Sequence, residues 1–264
     1  MPELPDVEGF RRVLAEHAAG RTVRDVEVLD SQVLRGFGPR RLRDTVRGRR
    51  FAEPWRHGKW LVAPVRGEGR GAPALLLHFG MTGSLRWADG DEPRHRHDRV
   101  VFVFGDGELR YRDMRKLAGL SLAANGEQRR ELLADLGPDA MTISRDRLAE
   151  VLGGRRRQLK PALADQSVVA GLGNLLVDEI LWRARIDPRR STAELDRADL
   201  DRLHRDLGTV LRQSVKAERV PPRKSWLTGR RDEPSGSCPR CGTTLRRARA
   251  GGRGTVWCPR CQPA

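Results

Sequence analysis

The chain has 264 residues, enough for one large domain or two ordinary ones with a buried core. Lys and Arg total 51 against 35 Asp and Glu, a formal net charge of +16. That excess points to a polyanion, nucleic acid first, because release of phosphate counterions drives such binding, although arginine-rich coding from a high-GC genome raises the same number. No apolar run approaches membrane-spanning length and no apolar signal segment opens the chain, so a cytoplasmic protein is expected.

The chain begins Met1-Pro2-Glu3-Leu4-Pro5-Asp6-Val7-Glu8. The small side chain of Pro2 favours removal of Met1, which would leave a secondary amine at the N-terminus. Such an amine loses its proton nearer neutrality than a lysine does and attacks an aldehyde-like carbon to form a covalent iminium. That iminium has no N–H proton to lose, so it stays cationic and acts as an electron sink. The Glu3 carboxylate beside it is placed to move a proton. An ordinary proline-rich start is the competing reading of these three residues taken alone.

From Asp6 to about Ala18 the apolar residues Val7, Phe10, Val13 and Leu14 recur at helical spacing, and Gly20 ends the run. A strand is predicted over Thr22–Leu29, a basic stretch over Arg35–Arg50 with a break at Gly48, and a hairpin over Phe51–Val62 carrying Lys59 in its return strand. Ala74–Phe79 reads as a buried strand. It runs into His78-Phe79-Gly80-Met81-Thr82-Gly83, where Met81 sits on a glycine-flanked turn. A methionine is usually core filler; on such a turn it could instead project as an apolar wedge. His95 and His97 fall in a polar loop and read as solvated surface rather than a metal site. Arg99–Arg112 reads as two strands joined through Gly105-Asp106-Gly107, followed by Asp113-Met114-Arg115-Lys116-Leu117.

The domain of strands is expected to span 1–124, with a linker and connecting helix over 125–143. A helical domain is expected over 144–232 and a small metal ribbon over 233–264. Ser144–Leu152, Gln158–Ala164, Asn174–Arg185 and Glu194–Val215 are the predicted helices, with Ser144 and Asn174 as N-caps. Gly171-Leu172-Gly173 before Asn174 lets the backbone approach closely and leaves helix N–H groups free, which suits a phosphate. A tight turn that needs its glycines only for steric reasons fits the same residues.

All four cysteines lie near the C-terminus, as Cys238-Pro239-Arg240-Cys241 and Cys258-Pro259-Arg260-Cys261. Paired Cys-x-x-Cys motifs point to one closed, structural Zn2+ held by four thiolates. A ribbon this small holds no core without its metal. Between the pairs a hairpin with the tip Gly251-Gly252-Arg253-Gly254 presents Arg253.

Pro2-Glu3, Lys59, Met81 on its turn, Arg115, the Gly-Leu-Gly-Asn174 turn and the terminal ribbon, in this order, resemble the formamidopyrimidine-DNA glycosylase and endonuclease VIII family of bifunctional DNA repair enzymes. The resemblance covers nearly the whole chain, and its opening looks more like the formamidopyrimidine branch. It implies an α+β multidomain fold. An N-terminal β-sandwich with flanking helices is followed by a helix–two-turn–helix domain and the zinc ribbon, and damaged double-stranded DNA lies in the cleft between the domains. It implies that Pro2 attacks C1′ of a flipped nucleotide, that Glu3 shuttles protons, and that β-elimination follows, with δ-elimination as a further step. Lys59, Asn174 and Arg253 match the family's phosphate-gripping residues, with His78 beside them. Met81, Arg115 and the residue at 117 would fill the gap left by the flipped base. A monomer, nucleoid-associated when bound to DNA, is expected.

Three departures stand out. Position 117 is Leu where an aromatic wedge is typical, Met114 replaces a proline, and Asp6 stands where glutamate is usual. The connection Ala217–Ser237 is short and lacks the branch's threonine-containing loop over an everted 8-oxoguanine, which implies a more open pocket. Oxidised purines, oxidised pyrimidines and bulky alkylated purines all remain open as substrates. Two other readings compete: a non-catalytic binder of distorted DNA, which would not need Pro2 or Glu3, and an AP-lyase that excises little intact base.

Overall fold

The computed structural model describes residues 1–66, 71–153 and 156–263. The chain divides into two compact units, one of Met1–Pro2 with Asp6–Asp135, the other of Glu3–Pro5 with Leu136–Ala264. The fold is mixed α+β, as expected from the sequence.

In the first unit, helix α1 (Leu4–His17) carries Asp6 in its first turn, where a carboxylate complements the helix dipole. Two sheets follow. The four-stranded sheet has the order β1 (Asp25–Val28), β7 (Asp98–Val103), β8 (Gly107–Arg112), β6 (Ser84–Asp89), with antiparallel pairing throughout. The five-stranded sheet has the order β2 (Leu34–Arg35), β9 (Gly119–Ala123), β5 (Ala74–His78), β4 (Trp60–Pro64), β3 (Trp55–His57). Alternation along the strands decides the core. Leu61, Ala63, Leu75 and Leu77 from one sheet share a buried cluster with Val100, Phe102, Leu109 and Tyr111 from the other. This is a β-sandwich. The opposite faces of β4 and β5 put Val62, Ala74 and Leu76 in a second cluster with Leu133 of helix α3 (Gly126–Leu133).

Two details depart from the sequence reading. The basic stretch holds a helix, α2 (Pro39–Val46), with Pro at its start and only Leu42 and Val46 buried; arginines hide its short apolar stripe. The first strand is shorter than predicted, because Thr22 makes only an isolated bridge to Arg50.

In the second unit, α4 (Arg145–Gly153), α5 (Leu159–Leu163), α6 (Asn174–Ala184) and α7 (Arg197–Lys216) pack around one core that includes Leu148, Leu163, Leu176, Ile180, Leu207 and Leu211. Helix α7 begins later than predicted, since Asp196 and Asp199 form a capping box and Ser191 caps a separate 3-10 turn before it. A hairpin of β10 (Arg246–Ala250) and β11 (Arg253–Trp257) forms the ribbon. Trp182, Leu227, Cys238, Leu245, Val256 and Cys258 make its small core. None of the described helices is long and apolar enough to cross a membrane.

Candidate active site

Helix α6 has an anion at its N-terminus, and the anion is the chain's own. Glu3 is 1% exposed. Its Oε2 accepts from the backbone N–H of Gly173 at 3.0 Å and of Leu176 at 3.1 Å, and its Oε1 from Leu175 at 2.8 Å. Those N–H groups would otherwise have no helical partner. The N-cap is therefore Gly173, and Asn174 is the first residue of the helix rather than its cap. Both glycines of the turn are needed. A Cβ on Gly173 would lie 2.2 Å from Glu3 Cδ, and one on Gly171, whose φ is +111°, would lie 2.6 Å from Leu4 Cδ1. Leu4 adds a backbone N–H to the Gly171 carbonyl at 3.1 Å and buries its side chain in the helical core. The close approach read from the sequence is thus real, and the group approaching is Glu3. The side chain of Asn174 is not committed to the protein fold: its Oδ1 is buried without a hydrogen-bond partner among the described residues.

Lys59 lies beside Gly58, whose φ is +57°, in the turn between β3 and β4 rather than in the return strand read from the sequence, because β4 begins at Trp60. His78, at the end of β5, pairs in register with Trp60 and meets its ring at 4.9 Å. His78 Nδ1 accepts from the Gly80 N–H at 3.1 Å, so a neutral imidazole carries its proton on Nε2. Burial, and then the charge of Lys59, push His78 down to about 4. It is a neutral donor at physiological pH, and Lys59 supplies the charge beside it.

The predicted residues Met81, Arg115 and Leu117 come together on two neighbouring loops, with Met114 beside them. Met81, Met114 and Leu117 are 41%, 53% and 57% exposed. A Cβ on Gly80, whose φ is +53°, would lie 3.3 Å from the Ala118 Cβ and 3.7 Å from that of Leu117. Thr82 Oγ1 donates to Asp113 Oδ1 at 2.6 Å, and both oxygens accept from the Arg115 N–H, at 3.0 and 3.1 Å. The Arg115 guanidinium reaches Met81 Sδ at 3.0 Å. The second loop is also held from below. Arg35 donates to the carbonyls of Lys116 and Ala118, each at 2.7 Å, and Lys116 Nζ donates to Asp30 at 2.9 Å. The sequence reading missed Arg35, Asp113 and Lys116. None of the three carries a local sequence signal; Lys116 adopts φ +53° one residue before the wedge position.

At the ribbon the four Sγ atoms of Cys238, Cys241, Cys258 and Cys261 lie within 4.8 Å of one another. Tetrahedral Zn–S bonds of ~2.3 Å require S···S separations of roughly 3.8 Å, so the set fits one Zn2+ after small adjustment. Trp182 donates its Nε1–H to Cys238 Sγ at 3.3 Å, a supporting contact of the kind that orients metal ligands. Hydrogen bonds with Thr243 pull the Cys241 thiol down to about 6, whereas burial pushes Cys258 up to about 12. Arg253 opens β11 and is exposed at the hairpin tip. Beneath it, Lys160 and Arg231 both donate to the Gly254 carbonyl, at 2.9 and 2.8 Å.

Comparison with known proteins agrees along the whole chain. Residues 1–120 match the family described as Formamidopyrimidine-DNA glycosylase N-terminal domain, 136–223 the Formamidopyrimidine-DNA glycosylase H2TH domain, and 237–264 the Zinc finger found in FPG and IleRS. The chain is 37% identical to the Formamidopyrimidine-DNA glycosylase of Symbiobacterium thermophilum over 100% of this chain and 90% of that one. It is 37% identical to that of Geobacillus kaustophilus over 99% and 100%. Its fold is similar to that of Lactococcus lactis Fpg in complex with abasic-site DNA, with a TM-score of 0.88, 31% identity and all of both chains covered. The same protein in complex with DNA containing an oxidised pyrimidine gives a TM-score of 0.89 at 29% identity, again over all of both chains.

Proposed function

The chain belongs to the formamidopyrimidine-DNA glycosylase family, bifunctional DNA glycosylases and AP lyases of base excision repair, and from that premise we propose how its residues divide the work. With Met1 removed, the Pro2 nitrogen attacks C1′ of a flipped nucleotide in damaged double-stranded DNA. The glycosidic bond breaks, and the base leaves with the bond's electrons and takes up a proton. The Glu3 carboxylate takes the proton that the attacking nitrogen sheds and delivers it to the ring oxygen O4′; the ring opens, and the freed nitrogen lone pair closes a cationic iminium with C1′. The iminium makes the C2′ hydrogen acidic. Loss of that proton expels the 3′ phosphate by β-elimination, and water releases Pro2; a product assay decides whether δ-elimination of the 5′ phosphate comes before that release.

The observation that carries this reading is the placement of Glu3. Three backbone N–H groups of α6 fix its carboxylate one peptide bond away from Pro2. A binder of distorted DNA could use this carboxylate as a helix cap, but would need neither its place beside Pro2 nor a free Pro2 amine. Lys59, His78, Asn174 and Arg253 grip the phosphates around the lesion and carry no sequence information. Met81, Arg115 and Leu117 fill the vacated place in the stack, with Leu117 adding volume but little stacking. The protein acts as a cytoplasmic monomer that associates with the nucleoid on DNA. Its domains divide as a sandwich over 1–124, a connecting segment over 125–143, the helical domain over 144–232 and the finger over 233–264. The oxidised pyrimidine and the formamidopyrimidine lesion held by the Lactococcus lactis protein are the first substrates to test.

Borohydride trapping on duplex DNA with an abasic site tests the mechanism. The mature protein is expected to form a covalent adduct; Pro2→Gly, and a form that retains Met1, are expected to trap little or none. No adduct from protein with confirmed Met1 removal and normal DNA binding would replace this reading with the non-catalytic binder.

A further inference from the structure

Lys160, Asp178 and Arg231 have no place in the chemistry above, yet they are buried together. The side chains of Lys160 and Asp178 are 0% exposed and that of Arg231 is 11% exposed. Lys160 Nζ donates to Asp178 Oδ1 at 2.5 Å, and Arg231 donates to Asp178 Oδ2. The Val256 N–H of β11 also donates to Oδ2, at 3.4 Å. Both cations then converge on the carbonyl of Gly254, the residue after Arg253. Arg231 NH1 also lies 3.5 Å from the carbonyl of Asn174. Pro161, next to Lys160, occupies the space a side chain at Gly251 would need, 2.8 Å from its Cβ position.

Burial pushes Lys160 down and Asp178 up, while each pulls the other back toward its charged form. A buried charge set of this kind adds little net stability over apolar residues of equal volume, and its best-attested use is to fix register. Here three segments meet β11: α5 and the short connection that departs from the formamidopyrimidine branch at the Gly254 carbonyl, and α6 through Asp178 at the Val256 N–H. Asp178 lies about one turn along α6 from Asn174, on the helix whose first turn holds Glu3.

We propose that Arg231 and Lys160, keyed by Asp178, are positioning residues for Arg253. They lock the hairpin tip in one register against α6, so that Arg253 and Asn174 meet the same stretch of DNA backbone. The short connection thus supplies a residue that steadies the phosphate grip. The inference rests on the phosphate role proposed above for Arg253.

The test is the salt dependence of binding to duplex DNA with a reduced abasic site, using the zinc-loaded full chain. Arg253→Ala is expected to lower the slope of log K against log salt by ~0.9, the loss of one phosphate contact. Arg231→Met is expected to lower it by a similar amount with zinc content unchanged, and the double variant no further. If Arg253→Ala leaves the slope intact, the phosphate role itself fails. If Arg253→Ala lowers it and Arg231→Met does not, or if the double variant loses twice as much, the positioning role is overturned. Should Arg231→Met lose its zinc, Asp178→Asn, which keeps the shape of the site, decides by the same criterion: an unchanged slope overturns the proposal.

Discussion

The two loops that carry Met81, Arg115 and Leu117 differ in construction from the helix and hairpin that carry Glu3, Asn174 and Arg253. The loops expose apolar tips and are tied at their bases by one buried carboxylate, Asp113, bonded to Thr82, and at the surface by Arg35 to two carbonyls. The helix and hairpin are keyed by buried charge at more points. Glu3 is held by three N–H groups, and Lys160 and Arg231 meet Asp178. The difference matches the tasks proposed for the two sets of residues. A wedge that enters a base stack has to stay exposed, and its backbone needs only a fixed bend. A proton-shuttling carboxylate and a phosphate grip need fixed charge positions, which desolvated ionic contacts provide and solvated ones do not.

The largest effect that would sharpen this contrast is removal of the metal. Structural zinc contributes on the order of 10 kcal/mol to small ribbons, so chelation is expected to unfold the hairpin and weaken binding to abasic-site DNA at least tenfold. Equilibrium binding with and without chelator checks this; unchanged affinity would remove Arg253 from the phosphate grip. Next comes Gly173→Ala. Its Cβ would lie 2.2 Å from Glu3 Cδ, so the carboxylate has to leave its cap. Base excision is expected to fall by ~100-fold or more, the usual contribution of a positioned acid–base group. Single-turnover excision rates would show it, and a wild-type rate would mean that the cap does not position Glu3 for chemistry.

Third is pH. His78 is held down to about 4 by burial and by Lys59, below its ordinary value near 6.5. The folded state therefore binds this proton less readily than the unfolded state. The associated stability is fully present above pH ~6.5 and is lost as pH falls toward 4, by at most about 3 kcal/mol. Denaturant unfolding at pH 7, 5 and 4 should show a gap between wild type and His78→Gln that narrows on acidification; a constant gap would place His78 outside the buried site. The smallest effect is expected for Thr82→Val, which leaves Asp113 short of one donor. It should cost about 1–2 kcal/mol and only a few-fold in affinity for lesion DNA. A large loss of binding would mean that the wedge loops depend on keyed polar contacts as the helix does.

The family, the metal and the candidate site residues could be read from the sequence because they lie in short motifs. Pro2-Glu3, the glycine-flanked Met81 and the paired Cys-x-x-Cys each occupy a few consecutive residues. What the sequence hid were contacts across long separations. Nothing local says that Glu3 caps a helix beginning 171 positions later, and the same turn read from the sequence as a phosphate site capped by Asn174. Lys160, Asp178 and Arg231 looked like three unrelated charges in a basic chain. Helix α2 was obscured because an arginine-rich stretch with two buried apolar residues has little visible stripe.

The sequence by itself determined the metal, since four soft thiolates at ribbon spacing admit few other uses, and it marked the candidate nucleophile, since a terminal secondary amine needs only Pro2 and the removal of Met1. It also determined the alternation that builds the sandwich, because side chains on a strand face opposite sides by geometry. Only the tertiary structure decided which anion fills the first turn of α6, which of many arginines meets Asp178, and what lies beneath Arg253. Those outcomes depend on which distant groups share a desolvated space, and hydrogen bonds and charges act strongly only once water has been excluded from that space.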